Sequence, residues 1–318
     1  MAKQIQMLDR MRDTLRVHNF SAHTEKAYLY WVQSYLTYYN GSDLTEMGLP
    51  QLQNFLKYLS QERLASARTL DQAMHAILYL YRNVMRLDAT WLEQYIEERA
   101  AKRHKNVLGP SECQALMSHL FGQDWLIAAF IYGSGLRLTE AVRLRIRDIN
   151  FLERKVLVRD EKGDAARVTI LPRKLVEPLK AHLDDRRMVH IKDLADGLGE
   201  VVLPTSIKEK HPHVARSWDW QFVFPSAKTV SDLRSDGNVC RFHVEEKSVR
   251  RGVEHAAIEA EIYKQVSTDT LRNSFAVQLI QQGVDAKVVE ALIGQGQKTL
   301  AESDALKTTS PLDRLILH

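Results

Sequence analysis

The stretch that decides the fold is Tyr132-Gly133-Ser134-Gly135-Leu136-Arg137-Leu138-Thr139-Glu140. The apolar run before it predicts a helix that ends at the two glycines, so Arg137 directly follows a helix junction. Far downstream, Arg272 stands near a predicted helix start. Two arginines, helped by a lysine, could clamp one phosphate, because guanidinium groups bind its oxygens bidentately. Taken singly, each arginine is better explained by a surface ion pair.

The sequence on either side predicts a mainly α-helical chain with one small antiparallel β-sheet. Apolar residues recur at helical spacing through the first hundred residues, and Ser21 is placed to cap the second helix. Two strands, 155–159 and 167–171, are predicted to meet at the turn Lys162-Gly163-Asp164. Helices resume at Leu175, with Gly283 and Gly294 as stops, and 196–238 is predicted to be irregular.

Length and spacing predict two domains. The chain has 318 residues, and a typical domain has roughly 150. We predict a helical N-terminal domain over 1–98, a charged linker over 99–110 and a second domain over 111–318. The linker lacks apolar periodicity, and Gly109-Pro110 marks the next helix start.

The charge distribution permits a polyanionic partner without requiring one. The net charge is +4, and the first hundred residues hold eleven basic and eleven acidic side chains, so the later residues carry the whole surplus. Part of it lies in Lys102, Arg103 and Lys105. Such a basic stripe is compatible with nucleic-acid binding. A solvated charged face explains it equally well.

Composition excludes several classes of protein. The longest apolar run is too short to span a bilayer, and no apolar signal-peptide core follows Met1, so we expect a cytoplasmic protein without a membrane partner. The two cysteines form no motif, which excludes a disulfide scaffold and a CxxC metal site. His211-Pro212-His213 has no third ligand nearby, so no metal site is expected.

Both arginine boxes together resemble those of the tyrosine recombinases, and in particular the integron integrases. The stretch from Gly135 to Phe151 matches closely, as do Thr24-Glu25-Lys26-Ala27-Tyr28 near the start and Ser310-Pro311-Leu312-Asp313-Arg314-Leu315 near the end. A segment over about 196–226 is similar to the insertion peculiar to integron integrases. The resemblance covers essentially the whole chain.

The resemblance implies a two-domain clamp around DNA, with four protomers assembled on two sites. The family cleaves and rejoins DNA through a 3′-phosphotyrosine, with no metal and no cofactor. Arg137 and Arg272 match the two arginines that stabilise the charged phosphorane, and Lys162 matches the hairpin lysine that protonates the leaving 5′-oxygen. In the family a tyrosine then supplies the nucleophile.

Three positions depart from the family pattern. Asp269 and Gln295 stand where the family has histidines, and family spacing puts the nucleophile at Asp304. The stretch between Gln295 and Ser310 is also several residues shorter than in relatives. All eleven tyrosines precede Arg272. We therefore predict that strand cleavage is lost.

The resemblance also implies candidate contacts to DNA. In the family, the insertion holds bases flipped out of a folded single-strand site, and aromatic rings stack on such bases. Trp218 and Trp220 either do this or pack the insertion onto the domain. The candidate DNA-binding residues are Lys26, Arg68, Lys102, Arg103, Lys105, His211, Pro212, Trp218, Trp220 and His243.

Three functional hypotheses remain open. The first is an inactive integron-integrase homologue that occupies recombination sites, double-stranded or folded single-stranded, as a homo-tetramer or mixed with an intact integrase. The second is an active recombinase whose nucleophile lies elsewhere in the sequence. The third is a helical fold in which DNA binding has also decayed.

Overall fold

Serine caps set the starts of two early helices in the computed structural model, which describes residues 2–40, 43–102, 106–160, 163–231, 239–295 and 308–317. Ser21 Oγ accepts a hydrogen bond from the Thr24 amide at 3.1 Å, as predicted. Ser66 Oγ does the same for Thr69 at 3.2 Å. Each serine satisfies a backbone amide that the helix itself cannot pair. The chain divides into two compact units, Met1–His104 and Lys105–His318.

The first unit consists of helices in its described part. They are α1 (Ala2–Val17), α2 (Ala22–Tyr38), α3 (Leu49–Gln61), α4 (Ala67–Tyr79) and α5 (Thr90–Lys102). A π-helical stretch, Leu80–Met85, continues α4, and the connection after Gly41 contains a short 3-10 helix, Leu44–Glu46. The core is rich in aromatic rings, among them Tyr35 and Phe55, whose centroids lie 5.1 Å apart.

The second unit is built around one buried helix, α7 (Gly122–Ser134). Its elements are α6 (Pro110–Ser118), α7 (Gly122–Ser134), α8 (Leu138–Val142), β1 (Ile149–Asn150), β2 (Lys155–Arg159), β3 (Ala165–Ile170), α9 (Arg173–Ala195), α10 (Thr205–Lys210), β4 (Val230–Ser231), β5 (Val239–Cys240), α11 (Glu246–Glu259), α12 (Thr268–Gln281) and α13 (Ala286–Ile293). Every residue of α7 from Leu126 to Ser134 is buried, because the other helices pack around it. It therefore forms the centre of the core.

The end of α7 requires glycine. Gly135 has φ +67°, and a Cβ there would lie 2.6 Å from a ring carbon of Phe275. Both the left-handed backbone and the close approach exclude larger side chains. The chain turns sharply at this point, so Arg137 is the residue that precedes α8.

A three-stranded antiparallel sheet carries the predicted hairpin. Its order is β1-β2-β3, with Val156 opposite Thr169 and Leu157 opposite Val168. The sequence did not predict β1, whose two residues pair with Lys155 and Val156, and β3 begins two residues earlier than predicted. The mainly α fold with a small antiparallel sheet is confirmed.

The segment predicted to be irregular contains defined structure. Besides α10 and β4, it holds 3-10 helices at Pro212–Arg216 and Trp218–Trp220, while 232–238 lie outside the described residues. A small apolar core of its own explains this order, formed by Val201, Leu203, Trp220 and Phe222. Non-local packing of this kind leaves no periodic pattern in the sequence.

The described C-terminal residues, 308–317, pack against α7 and α9 within the second unit. Ser310 Oγ donates to the Gly133 carbonyl at 2.7 Å, and Asp313 accepts from the Lys174 amide at 3.0 Å. Leu312 is fully buried. Within the described part of the chain, no helix combines the length and apolar character that crossing a bilayer requires.

Replacing Leu312 with alanine tests this packing. We expect the change to lower the free energy of unfolding by about 2–5 kcal/mol, because it leaves a cavity beside α7. The matched control is Ile316→Ala, since Ile316 is exposed, and it should change stability by less than about 0.5 kcal/mol. Urea titrations of both variants measure the difference, and equal stability of the two would contradict the described packing.

Candidate functional site

One carboxylate, Glu140, organises three arginines. Arg167 binds it bidentately, with both N–H···O distances at 2.7 Å. Arg137 donates to it from its backbone amide at 2.7 Å and from Nη1 at 2.9 Å. Nη1 of Arg272 lies 3.7 Å from Glu140 Oε2. The two boxes that the sequence analysis singled out therefore meet at Glu140.

Arg272 is buried but retains binding capacity. Its side chain is 9% exposed, and Nη2 donates to the Ile293 carbonyl. Nη1 is buried without a hydrogen-bond partner among the described residues. A buried, unpaired guanidinium N–H is costly, and an added oxygen acceptor would remove that cost. Arg137, whose side chain is 46% exposed, lies at the same carboxylate.

The charges of this cluster are strongly coupled. Burial alone would raise the pKa of Glu140, but hydrogen bonds and charge from Arg167, with help from Arg137, lower the pKa to about 2. Burial and then the nearby charge of Arg137 lower the pKa of Arg272 to about 10. Both groups are therefore charged at neutral pH, and the cluster carries a net positive charge.

Three residues of this cluster lie on a cleft of about 1060 Å³. Arg137, Glu140 and Arg167 line it together with the hairpin residue Gly163 and with Pro204 of the inserted segment. Arg143 also lines the cleft, is exposed, and makes no hydrogen bond or ion pair with any described residue. A concave surface rich in arginine is suited to a phosphate-bearing ligand.

A second arginine network holds the inserted segment against this cleft. Arg145 is buried, donates to the carbonyls of Trp220 at 2.8 Å and Val202 at 2.7 Å, and lies 3.5 Å from the Phe222 ring centroid. Burial lowers its pKa to about 9. Asp148 accepts from Arg159 Nε at 2.7 Å. Buried cations satisfied in this way fix backbone positions.

The substituted family positions are only partly described. Asp269 is exposed on the first turn of α12, and its negative charge raises the pKa of Arg272 against the larger effect of burial. Gln295 is exposed just after α13, where its backbone N–H donates to the Glu290 carbonyl at 2.8 Å. Lys162 and Asp304 lie outside the described residues.

The predicted DNA-binding residues are spread over both units. In the first unit, Lys26 is exposed on α2, while nothing is described for the side chains of Arg68 and Lys102 or for Arg103 and Lys105. In the second unit, His211 and Pro212 are exposed, and His243 lines the cleft half-buried. His243 Nδ1 donates to the Val244 carbonyl at 2.8 Å, and burial lowers its pKa.

The two tryptophans differ in exposure. Trp220 is 3% exposed, and Arg147 lies 4.5 Å from its ring centroid. This burial favours the alternative interpretation, in which Trp220 packs the insertion onto the domain. Trp218 is half-buried, and its ring centroid lies 5.7 Å from that of His190.

Sequence reasoning missed the organising groups. The sequence pattern predicts no role for Glu140, and it predicts Arg167, 27 residues away, only as part of a strand. One signal in the sequence points to Glu140. A glutamate three residues after the residue that precedes a helix typically accepts a hydrogen bond from the backbone N–H of that residue, here Arg137. The described residues contain no group of three or more His, Cys, Asp or Glu arranged to hold a metal ion.

Comparison with known proteins identifies the family. Residues 106–299 match the phage integrase family, and residues 7–91 match the phage integrase N-terminal SAM-like domain. The chain is 32% identical to an integrase/recombinase of Escherichia coli, over 98% of this chain and 95% of that protein. A tyrosine recombinase of Thermosipho africanus is 26% identical, over 92% of this chain and 91% of that protein. The chain belongs to the phage integrase family of tyrosine recombinases.

Solved structures agree on the fold. The Tn1549 transposon integrase in complex with transposon right end DNA matches with a TM-score of 0.59 at 13% identity, covering 95% of this chain and 97% of that one. The site-specific recombinase XerH bound to its difH substrate matches with a TM-score of 0.52 at 17% identity, covering 90% and 75%.

The low pKa of Glu140 makes stability depend on pH. Because this pKa is lower in the folded than in the unfolded chain, its contribution is complete above about pH 5 and is lost as the pH falls toward 2. Between about pH 6 and pH 3, the unfolding free energy of the native chain should fall about 2 kcal/mol further than that of Glu140→Gln.

Urea titrations across this pH range measure the effect. Glu177→Gln is the control, because Glu177 is 79% exposed, and it should keep the pH dependence of the native chain. Identical curves for Glu140→Gln and the native chain would show that the buried ion pair does not hold the carboxylate ionised.

Proposed function

We propose that this chain binds recombination-site DNA through the arginine cleft and does not cleave it. The proposal rests on two observations taken together. Arg137 and Arg272 converge on Glu140, and Arg272 Nη1 makes no hydrogen bond with any described residue. Yet no tyrosine follows Arg272 in the sequence. The first fact favours a bound phosphate, and the second removes the family's covalent route.

Electrostatics supports phosphate binding at this place. Three guanidinium groups surround one carboxylate, so the cluster has an excess of about two positive charges, and Arg143 adds another in the same cleft. Half or more of the hydrogen bonds between proteins and DNA go to phosphates and sugars. Relatives of this fold have been solved in complex with DNA, which is consistent with such a ligand.

The substitutions argue against catalysis. Asp269 puts a negative charge close enough to Arg272 to affect its pKa, where the family has a histidine that assists proton transfer. A carboxylate opposes the negative charge that develops on the phosphorane, and like charges at about 4 Å cost about 1 kcal/mol even in water. The last tyrosine, Tyr263, precedes Arg272 by nine positions and is 97% exposed. No covalent intermediate of the family's kind is then available.

The integron-integrase subtype is part of the proposal. It rests on the segment 196–226, which has its own apolar core and presents His211 and Pro212 to solvent. A folded single strand with extrahelical bases is the substrate that such an insertion would suit. We propose that the chain occupies these sites as a homo-tetramer or together with an intact integrase.

The deciding experiment uses a folded integron bottom strand that carries a nick, so that cleavage traps the protein covalently. We expect an electrophoretic shift on a native gel and no covalent band on a denaturing gel. An intact integrase, which should form the band, is the positive control. A covalent band from this chain would instead support an active recombinase, and mass spectrometry would locate its nucleophile. Absence of both signals would leave a fold without DNA binding.

The phosphate contact itself has a measurable signature. The logarithm of the binding constant falls with the logarithm of salt concentration by about 0.9 per phosphate contacted. We expect Arg137→Ala to reduce this slope by about 1 and to weaken binding about tenfold.

Lys180→Ala is the control, because Lys180 is half exposed on α9 and pairs only with Glu177 among the described residues. It should leave both the slope and the affinity close to those of the native chain. An unchanged slope for Arg137→Ala would place the DNA outside the cleft.

A further inference from the structure

The turn between β2 and β3 touches the inserted segment. Gly163 has φ +91°, and a Cβ there would lie 2.3 Å from Pro204 Cβ and 2.7 Å from Pro204 Cγ. The Gly163 backbone is therefore in direct contact with the proline ring, and no larger residue fits. Gly163 directly follows Lys162 in the sequence, and Lys162 itself lies outside the described residues.

Arg159 holds the same turn from the strand side. Its Nη1 donates to the Gly163 carbonyl at 2.9 Å, and its Nε donates to Asp148 Oδ1 at 2.7 Å. Its guanidinium carbon lies 5.5 Å from the Trp220 ring centroid. Only 18% of the Arg159 side chain is exposed. One side chain thus joins the turn to the 3-10 helix Ile146–Asp148.

Pro204 is itself held in place. Arg145 donates to the carbonyl of Val202, two residues earlier, and to that of Trp220. Leu203 is buried in the apolar core of the inserted segment. Hydrogen bonds and apolar packing of the neighbouring residues therefore hold the Pro204 ring in position against Gly163.

We propose that the inserted segment fixes Gly163, where the hairpin leads into β3, and so sets the width of the arginine cleft along this edge. Pro204 and Arg159 are positioning residues, since both contact Gly163 and neither belongs to the cluster around Glu140. Gly163 and Pro204 line the cleft that contains Arg137. The inference rests on the proposed function only in taking that cleft as the DNA-binding site.

Local hydrogen bonds alone would hold such a turn weakly. Among the described residues, these local bonds include the Asp160 amide to the Asp164 carbonyl at 2.9 Å, the Gly163 amide to the Asp160 carbonyl at 3.1 Å, and the Asp164 amide to Asp160 Oδ1 at 2.9 Å. Exposed turns with few buried contacts open at low free energy. The contacts of Pro204 and Arg159 should therefore determine how often the Gly163 and Asp164 amides open to solvent.

Amide hydrogen exchange on the full chain without DNA tests the inference. We expect Pro204→Gly to speed the exchange of the Gly163 and Asp164 amides about tenfold, with α7 and α12 changed less than about twofold. The matched control is Glu209→Ala, an exposed site on the same inserted segment, which should leave the turn unchanged.

Arg159 gives a second, independent test. Arg159→Ala should speed exchange at the same two amides, and Arg159→Lys should restore only part of the protection, because one ammonium group cannot reproduce the planar fork that bridges Asp148 and Gly163. A general loss of stability would instead raise exchange throughout α7 and α12.

The proposal is overturned if exchange of the Gly163 and Asp164 amides stays at the native rate in Pro204→Gly, or if it rises only together with exchange in the core helices. Should Pro204→Gly fail to fold, Pro204→Ala replaces it, since it removes Cγ from Gly163 and keeps the rest of the chain; faster exchange at the two amides is expected, and the native rate would overturn the proposal. Because no DNA is present, the outcome is independent of whether the chain binds DNA.

Discussion

The site depends on one buried carboxylate among arginines. Without Glu140, the guanidinium groups of Arg137, Arg167 and Arg272 would repel one another in a partly desolvated place, where charges interact several times more strongly than in water. With it, each group has a fixed direction, and the cluster keeps its positive charge. Each guanidinium nitrogen of Arg167 donates a hydrogen bond, while Arg137 is half exposed and Arg272 Nη1 makes no hydrogen bond with any described residue. The two arginines with capacity left are the ones that the family pattern singles out.

The rest of the second unit serves to bring these groups together. The buried helix α7 ends at Gly135, whose left-handed backbone lets Phe275 approach and directs the chain into the Arg137 box. The Ile293 carbonyl at the end of α13 then accepts from Arg272. Arg145 extends the same principle to the inserted segment and Arg159 extends it to Gly163 of the hairpin, with backbone carbonyls as their acceptors. Removing a partner from such buried groups costs more than forming the bond contributes, so these arrangements are rigid.

Local signals made much of the fold predictable. The serine cap at Ser21, the glycine stops at Gly283 and Gly294 and the hairpin around Gly163 all lie where the sequence predicts them, because caps and turns depend on neighbouring residues. Features made by distant residues were not predictable. The strand β1 exists only through pairing with β2, and the Glu140–Arg167 ion pair spans 27 residues. The burial of Trp220 depends likewise on Val201 and Leu203.

Glu140 repels a bound phosphate by its charge, and it favours phosphate binding by fixing the arginines. Measuring the binding of folded bottom-strand DNA to Glu140→Gln separates these two effects. If the carboxylate matters mainly because it fixes the arginines, neutralising it should weaken binding about tenfold, although a negative charge has been removed. We predict this result from equilibrium titrations of the native and Glu140→Gln chains at one salt concentration. Equal or tighter binding by Glu140→Gln would contradict the account, since the arginines would then bind phosphate without the carboxylate that arranges them.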